Sequence, residues 1–233
     1  MKKKLKQLLN RILRLVQKDL YINVKCNYKW YGNEYGGFYA CPETLSSSSI
    51  VYSFGIGEDI SFDESIIDEF NCIVFGFDPT PKSINWIHSQ KLPQGFKFLE
   101  YGIGKTSGNV KFFLPKNKNH VSGSIIPRDE LSVEKSVNVP MKSFKDIISE
   151  LGHNKVDIVK LDIEGAEFDV IESIIESKII IGQILIEFHD RFITKGRLKR
   201  KNAINLLKQK DFELFAISDS LEEFSFINKD VLN

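Results

Sequence analysis

Three cysteines in 233 residues, Cys26, Cys41 and Cys72, are an odd count with no CxxC pair, which excludes a disulfide framework and a zinc-ribbon spacing and fits a reducing cytoplasm. Charge of either sign is not in excess: 32 Lys and Arg stand against 31 Asp and Glu, so no general electrostatic attraction to nucleic acid is expected. No stretch reaches the roughly 20 apolar residues that cross a bilayer. Residues 1–20, MKKKLKQLLNRILRLVQKDL, begin like an export signal, but Asn10, Arg11, Arg14 and Gln17 interrupt every apolar run before a signal core can form.

That same segment places Leu5, Leu8, Leu9, Ile12, Leu13 and Val16 on one helical face with lysines and arginines around the rest. It predicts a helix packed on the domain or on a second copy of the chain, which would make a homodimer, with in-plane membrane contact as the other possibility. Residues 21–49, rich in Gly, Tyr and Ser, read as an irregular connector or lid, with Tyr31, Tyr35 and Tyr39 beside the flexible Gly36-Gly37.

From Ile50 the pattern alternates. Short β-branched and aromatic runs at 50–54, 72–77, 96–101, 110–114, 156–161 and 183–188 predict strands. Helical stretches are expected at 63–70, 81–90, 141–151, 167–177 and 198–210, and residues 115–139 read as a polar loop. Strands alternating with helices imply βαβ units and a parallel α/β sheet. The final runs FELFAIS and EEFSFIN, joined by a polar turn, predict a hairpin that adds an antiparallel strand. The length suits one principal domain, 50–233, preceded by an extension, 1–49.

In open α/β sheets ligands bind at the carboxyl ends of the strands, so loops opening at Gly55, Asp78, Gly102, Asp162 and Glu187 should share one rim. The stretch VYSFGIGEDISFD sets Gly55-Ile56-Gly57 before Glu58 and Asp59, with Ile60 where a dinucleotide fingerprint has its third glycine. Acids there disfavour phosphate and suit a ligand with positive charge and hydroxyls, such as S-adenosylmethionine. Asp78 lies 21 residues after Gly57, about where an acid can hold ribose hydroxyls; a turn acid before Pro79 is the plain alternative.

The runs VYSFGIGEDISFD, FGFDPTPKSINWI, LEYGIG, VDIVKLDIEGAEFDVIESI and ILIEFH together resemble the FkbM-like family of S-adenosylmethionine-dependent methyltransferases. The resemblance implies a Rossmann-like class I methyltransferase fold, with seven mostly parallel strands, the last antiparallel, and helices on both faces. It also implies O-methylation of a sugar or natural-product hydroxyl, in bacteria often for surface polysaccharide. The acid usual two residues before the first glycine is Ser53 here, so Glu58 or Asp59 is expected to take over its charge and Ser53 to act through its hydroxyl.

Around the rim, alternation along LDIE turns Asp162 and Glu164 one way, and along EFH it gives Glu187 and His189 a shared face. Glu164 and Glu167 also read simply as acids complementing a helix N-terminus. Two chemistries fit Asp162, Glu187 and His189. His189, with an ordinary pKa near 6.5, can act as general base toward an acceptor hydroxyl. Alternatively the three can hold a divalent metal that orients the acceptor. The cofactor set is Ser53, Gly55, Gly57, Glu58, Asp59, Asp78, Gly102 and Asp162. The acceptor is expected to be a small sugar or amino alcohol; an amine would use the same base. Lys116, Lys118, His120 and Arg128 are either a solvated charge run or a clamp for an acceptor that carries phosphate.

Overall fold

The computed structural model describes residues 17, 20–116, 123, 124 and 131–232. The expected first helix and the Lys118, His120 and Arg128 of the basic loop lie outside them. In chain order the elements are β1 (Lys29–Tyr31), β2 (Phe38–Ala40), β3 (Ile50–Phe54), α1 (Ser61–Phe70), β4 (Ile73–Phe77), α2 (Pro81–His88), β5 (Phe96–Leu99), β6 (Gly102–Gly104), β7 (Gly108–Pro115) and β8 (Leu131–Ser143). There follow α3 (Phe144–Leu151), β9 (Lys155–Leu161), α4 (Glu167–Glu176), β10 (Ile180–Glu187), α5 (Gly196–Lys208), β11 (Phe212–Ile217) and β12 (Glu223–Asn228). Local chemistry sets several ends. Thr80 caps α2 by accepting from the Ser83 amide, with Pro81 in the first turn. Ser143 caps α3, which Gly152 closes in the left-handed conformation.

The main sheet has the order β11-β12-β10-β9-β3-β4-β5. Strands β10, β9, β3, β4 and β5 are parallel, and β12 runs antiparallel to both β10 and β11. This is the class I methyltransferase arrangement. The chain leaves β3 toward β4 and β5, then returns to build β9 and β10 on the other side, so the crevice between β3 and β9 is the topological switch point.

Side-chain alternation divides the core into two layers. Tyr52, Phe54, Phe77, Val159, Leu161, Ile184 and Ile186 face α3, α4 and α5. Val51, Val74, Ile158 and Leu185 face the opposite way, toward α1 and α2. Period-2 burial on strands covered on both faces explains why these segments read as continuous apolar runs.

Two expectations need correction. Residues 21–49 are only partly irregular: β1 and β2 form an antiparallel hairpin, and Tyr31, Phe38, Ala40 and Cys41 are buried in the second layer. Gln183 ties this segment to the sheet, its amide donating to the Cys41 carbonyl at 2.9 Å and accepting from the Cys41 amide at 2.8 Å. Nor is 115–139 all loop. β8 pairs with β7 and β6 in a separate three-stranded sheet, and it continues to Ser143 where a helix from Met141 was expected. Val137, Val139 and Met141 alternate there with polar or exposed neighbours, the pattern of a strand with one solvated face.

Candidate active site

At the carboxyl ends of β3, β4, β9 and β10 lies a cavity of about 710 Å³, within the range of small-molecule sites. Of the sequence-selected residues, Gly55, Gly57, Glu58, Asp59, Asp78, Gly102, Asp162, Glu187 and His189 all line it. Ser53 does not. It is fully buried beside Asp63, whose carboxyl is lifted by burial to about 6 against the pull of Lys160 and the Ser53 hydroxyl.

Gly55 marks where two strand ends touch. Its φ is +83°, and a Cβ there would stand 1.7 Å from the Asp162 carbonyl oxygen. The Gly55 amide donates to Phe77 O and the Asp162 amide to Phe54 O, stitching three strand ends into one floor. Gly57 donates its amide to Asp78 Oδ2 at 2.9 Å, while Asp78 Oδ1 accepts from the Thr80 amide and hydroxyl at 2.9 and 2.7 Å. Oδ2, which accepts one hydrogen bond, keeps acceptor capacity, so Asp78 fits the expected hold on ribose hydroxyls.

The acids of the glycine loop are engaged with the protein itself. Glu58 pairs with Lys82 at 3.2 Å. Asp59 accepts from the Ser61 amide at the start of α1 and, through its other oxygen, from Asn33 in the β1–β2 turn at 2.7 Å. Of the three lid tyrosines, Tyr31 is buried and donates to Glu69, and Tyr39 stacks edge-on against Trp30. Only Tyr35, 85% exposed, stands at the cavity.

The other end of the cavity is built around His189. Its ring is 2% exposed and its Nδ1 lies 2.6 Å from Oε1 of Glu167, which is fully buried. Its Nε2 faces Glu187 Oε1 at 3.2 Å, Glu164 Oε2 at 3.6 Å and Asp162 Oδ1 at 3.8 Å. Asp162 and Glu187 meet because β9 and β10 are parallel neighbours in register, Ile186 opposite Leu161. Glu164 arrives differently from the expected alternation. The chain turns through φ +55° at Glu164 and +104° at Gly165, a turn held by Gly165 N–H on Glu167 Oε1 and by the Ser124 hydroxyl on the Glu164 carbonyl.

Burial alone would depress the His189 pKa, but hydrogen bonds to Glu167 and Glu187 and the charges of Glu167 and Asp162 outweigh it, lifting the ring to about 11. These neighbours favour the imidazolium form, in which Nδ1 donates to Glu167 and Nε2 to Glu187. Burial and the Glu187 charge raise Asp162 to about 8, against Lys160 and His189. Glu187 is held low: the His189 hydrogen bond and the charges of His189 and Arg191 overcome its burial.

Sequence reasoning did not single out Glu222 and Glu223, which close this end from the β11–β12 turn; Glu223 is the register partner of Glu187. It also passed over Lys160, buried with its ammonium 3.4 Å from the Gly55 carbonyl. Its place inside a strand, one residue before the apolar Leu161, was the available signal.

Residues 37–221 match the methyltransferase FkbM domain. The chain belongs to the FkbM methyltransferase family. S-adenosylmethionine is the cofactor of that family, and the glycine floor with Asp78 suits it. The FkbM chain is 28% identical to a human protein named probable methyltransferase-like protein 24, over 78% of this chain and 46% of that protein. It is 27% identical to the 2-O-methyltransferase NoeI of Sinorhizobium fredii, over 61% and 63% of the two chains. It is 24% identical to the hexuronic acid methyltransferase AglP of Haloferax volcanii, over 50% and 47%. The chain spans about half the length of the first of these relatives. Among solved structures, the fibrillarin pre-rRNA processing protein of Methanococcus jannaschii aligns with a TM-score of 0.46 at 13% identity, over 79% of this chain and 68% of that one.

Proposed function

We propose that the chain transfers a methyl group from S-adenosylmethionine to a hydroxyl of a small sugar. The observation that carries this reading is the crowding of acids at one end of the cavity. Asp162, Glu164 and Glu187 converge around His189 on the space beside the glycine floor, and Glu222 and Glu223, held by Arg191 and by Ser218 and Ser220, close its edge. Convergent carboxylates accept hydrogen bonds from several hydroxyls at once, and they repel phosphate. The names of the relatives support the same substrate class: one is a 2-O-methyltransferase and another acts on a hexuronic acid.

The donor supplies a methyl group on a sulfonium leaving group and departs as neutral S-adenosylhomocysteine. The chain's own tasks are therefore alignment and proton removal. Gly55 and Gly57 let backbone approach the cofactor closely, and Asp78 holds its ribose. His189, its ring fixed by Glu167, and the carboxylates of Asp162 and Glu187 face the acceptor, and this group takes the acceptor proton.

The acidic lining also favours a second reading, N-methylation of a small amine or amino alcohol, because an ammonium would be attracted to the same carboxylates. Incubation with S-adenosylmethionine and a panel of monosaccharides, uronic acids and amino alcohols, with S-adenosylhomocysteine read by chromatography, separates the two. Turnover with hydroxyl-only acceptors is the expected result. Turnover confined to amines selects the second reading, and failure to bind either adenosyl compound overturns both.

A further inference from the structure

We propose that Asp162, Glu187 and His189 form a divalent-cation site, with Glu167 as the residue that positions the imidazole. One ligand atom from each of the three lies within 4.8 Å of the others, at the inner end of the cavity. The arrangement is more than a group of acids. His189 is 2% exposed, and Glu167 at 2.6 Å from Nδ1 fixes which nitrogen is turned to the cavity. A buried carboxylate on one imidazole nitrogen, with the other turned to the carboxylates that would share the ion, is how metal-binding histidines are oriented, and the cation would take the place of the Nε2 proton. Glu167 reaches further, because the same oxygen accepts from the Gly165 amide and so sets the turn that brings Glu164 to within 3.6 Å of Nε2.

The carboxylate of Asp162, 27% exposed at the cavity with His189 Nε2 at 3.8 Å, accepts no hydrogen bond from any described residue. The nearest lysine, Lys160, directs its ammonium to the Gly55 carbonyl at 3.4 Å, and Arg191 is held by Glu222 at 2.9 Å. The cluster thus keeps negative charge that a cation can neutralise. Carboxylate oxygens with one imidazole suit Mn²⁺ or Mg²⁺ better than a thiolate-seeking metal. The use of the ion rests on the methyl-transfer reading: it would hold the acceptor oxygen and lower its pKa. Its binding does not depend on that reading.

The test is calorimetric titration of the chelator-stripped full chain with MnCl₂, with unbound Mn²⁺ followed by electron paramagnetic resonance, and a parallel titration with S-adenosylhomocysteine. One Mn²⁺ per chain with a sub-millimolar Kd is expected. Glu187→Gln should weaken it at least tenfold, and Glu167→Gln, which is not a ligand, by about 10- to 100-fold, with S-adenosylhomocysteine affinity unchanged in both. Asp162→Asn provides a second ligand variant, and the wild-type titration decides the matter if a variant fails to fold. Absence of Mn²⁺ binding while S-adenosylhomocysteine still binds overturns the cation site and leaves methyl transfer standing. So does Mn²⁺ binding that both Glu187→Gln and Glu167→Gln leave intact. Mn²⁺ binding without S-adenosylhomocysteine binding supports the site and removes the methyl-transfer reading.

Discussion

Replacing Gly55 by alanine should damage cofactor binding and catalysis far more than a single methyl group suggests. At φ +83° the backbone is in the left-handed region, where an L residue costs about 1–2 kcal/mol relative to its preferred conformations. The added Cβ would then meet the Asp162 carbonyl oxygen at 1.7 Å and its carbon at 2.7 Å. Restoring ordinary contact requires movement of roughly 1.5–2 Å. Neither partner is free to move: Gly55 N–H is bonded to Phe77 O at 3.0 Å and Asp162 N–H to Phe54 O at 3.0 Å. The displacement falls on the two strand ends that carry the glycine floor and the Asp162 carboxylate, and misplacement by about 1 Å can cost 10²-fold in rate. Gly55→Ala should therefore lose about 2–3 kcal/mol of stability in urea. It should also bind S-adenosylhomocysteine at least tenfold more weakly by calorimetry and turn over at least 100-fold more slowly. A Gly55→Ala protein whose affinity stays within threefold and whose urea midpoint is unchanged would refute the reasoning.

Other perturbations separate structure from chemistry. Glu167→Ala removes the fully buried partner of the His189 imidazolium and should lose about 3–5 kcal/mol in urea unfolding, whereas a loss under 1 kcal/mol would mean that the pair is not formed. With chelator present, stability should fall as pH rises. His189, lifted from 6.5 to about 11, contributes stability that is complete below pH 6.5 and lost by pH 11, and the raised Asp162 carboxyl adds a loss of the same sign up to about pH 8. Between pH 7 and 9 the decline is roughly 2–4 kcal/mol; His189→Gln should flatten it, and a level or rising midpoint in the wild type contradicts the assignment. Asp78→Asn should weaken S-adenosylhomocysteine binding about tenfold by removing a charged acceptor for ribose hydroxyls. Tyr35→Ala, at an exposed position on the rim, should shift stability by less than about 0.5 kcal/mol and act, if at all, on the acceptor KM.

Strands β3, β4, β9 and β10 were legible to within three residues, because a parallel strand covered on both faces must be apolar along its whole length. The rim acids followed from them, since each strand end names its own loop: Asp78 after β4, Asp162 after β9, Glu187 closing β10. What pattern could not show was pairing between distant segments. An acid opening α4 looks the same whether it complements a helix dipole or, as with Glu167, clamps a histidine 22 residues away. Glu222 and Glu223 were invisible for a topological reason: β12 is antiparallel, so its beginning meets the ends of its parallel neighbours, and only the register of Glu223 with Glu187 brings it to the site. Strand β8 was missed because its polar solvent-facing positions outweighed the alternation at Val137, Val139 and Met141. The tyrosines near 35 resemble a lid until Gln183 and Ser225 are seen holding Cys41 and Tyr39 to the sheet.

The acidity of the glycine loop has a different cause from the one its sequence suggests. Carboxylates directly after Gly55 and Gly57 read as charge offered to a cationic cofactor, yet Asp59 is consumed by the start of α1 and by Asn33, and Glu58 by Lys82. These contacts anchor the loop to the N-terminal hairpin and to α2. The charge left over lies across the cavity. There Asp162 has no hydrogen-bond donor among the described residues, and Glu187 is divided between His189 at 3.2 Å and Arg191 at 3.8 Å. A transferring methyl group and its sulfonium gain from negative potential on the far side of the methyl, where the acceptor oxygen must sit, more than from acids behind the cofactor. On this account the cofactor end is selected by the glycine floor together with Asp78, and the acceptor end by the acids around His189.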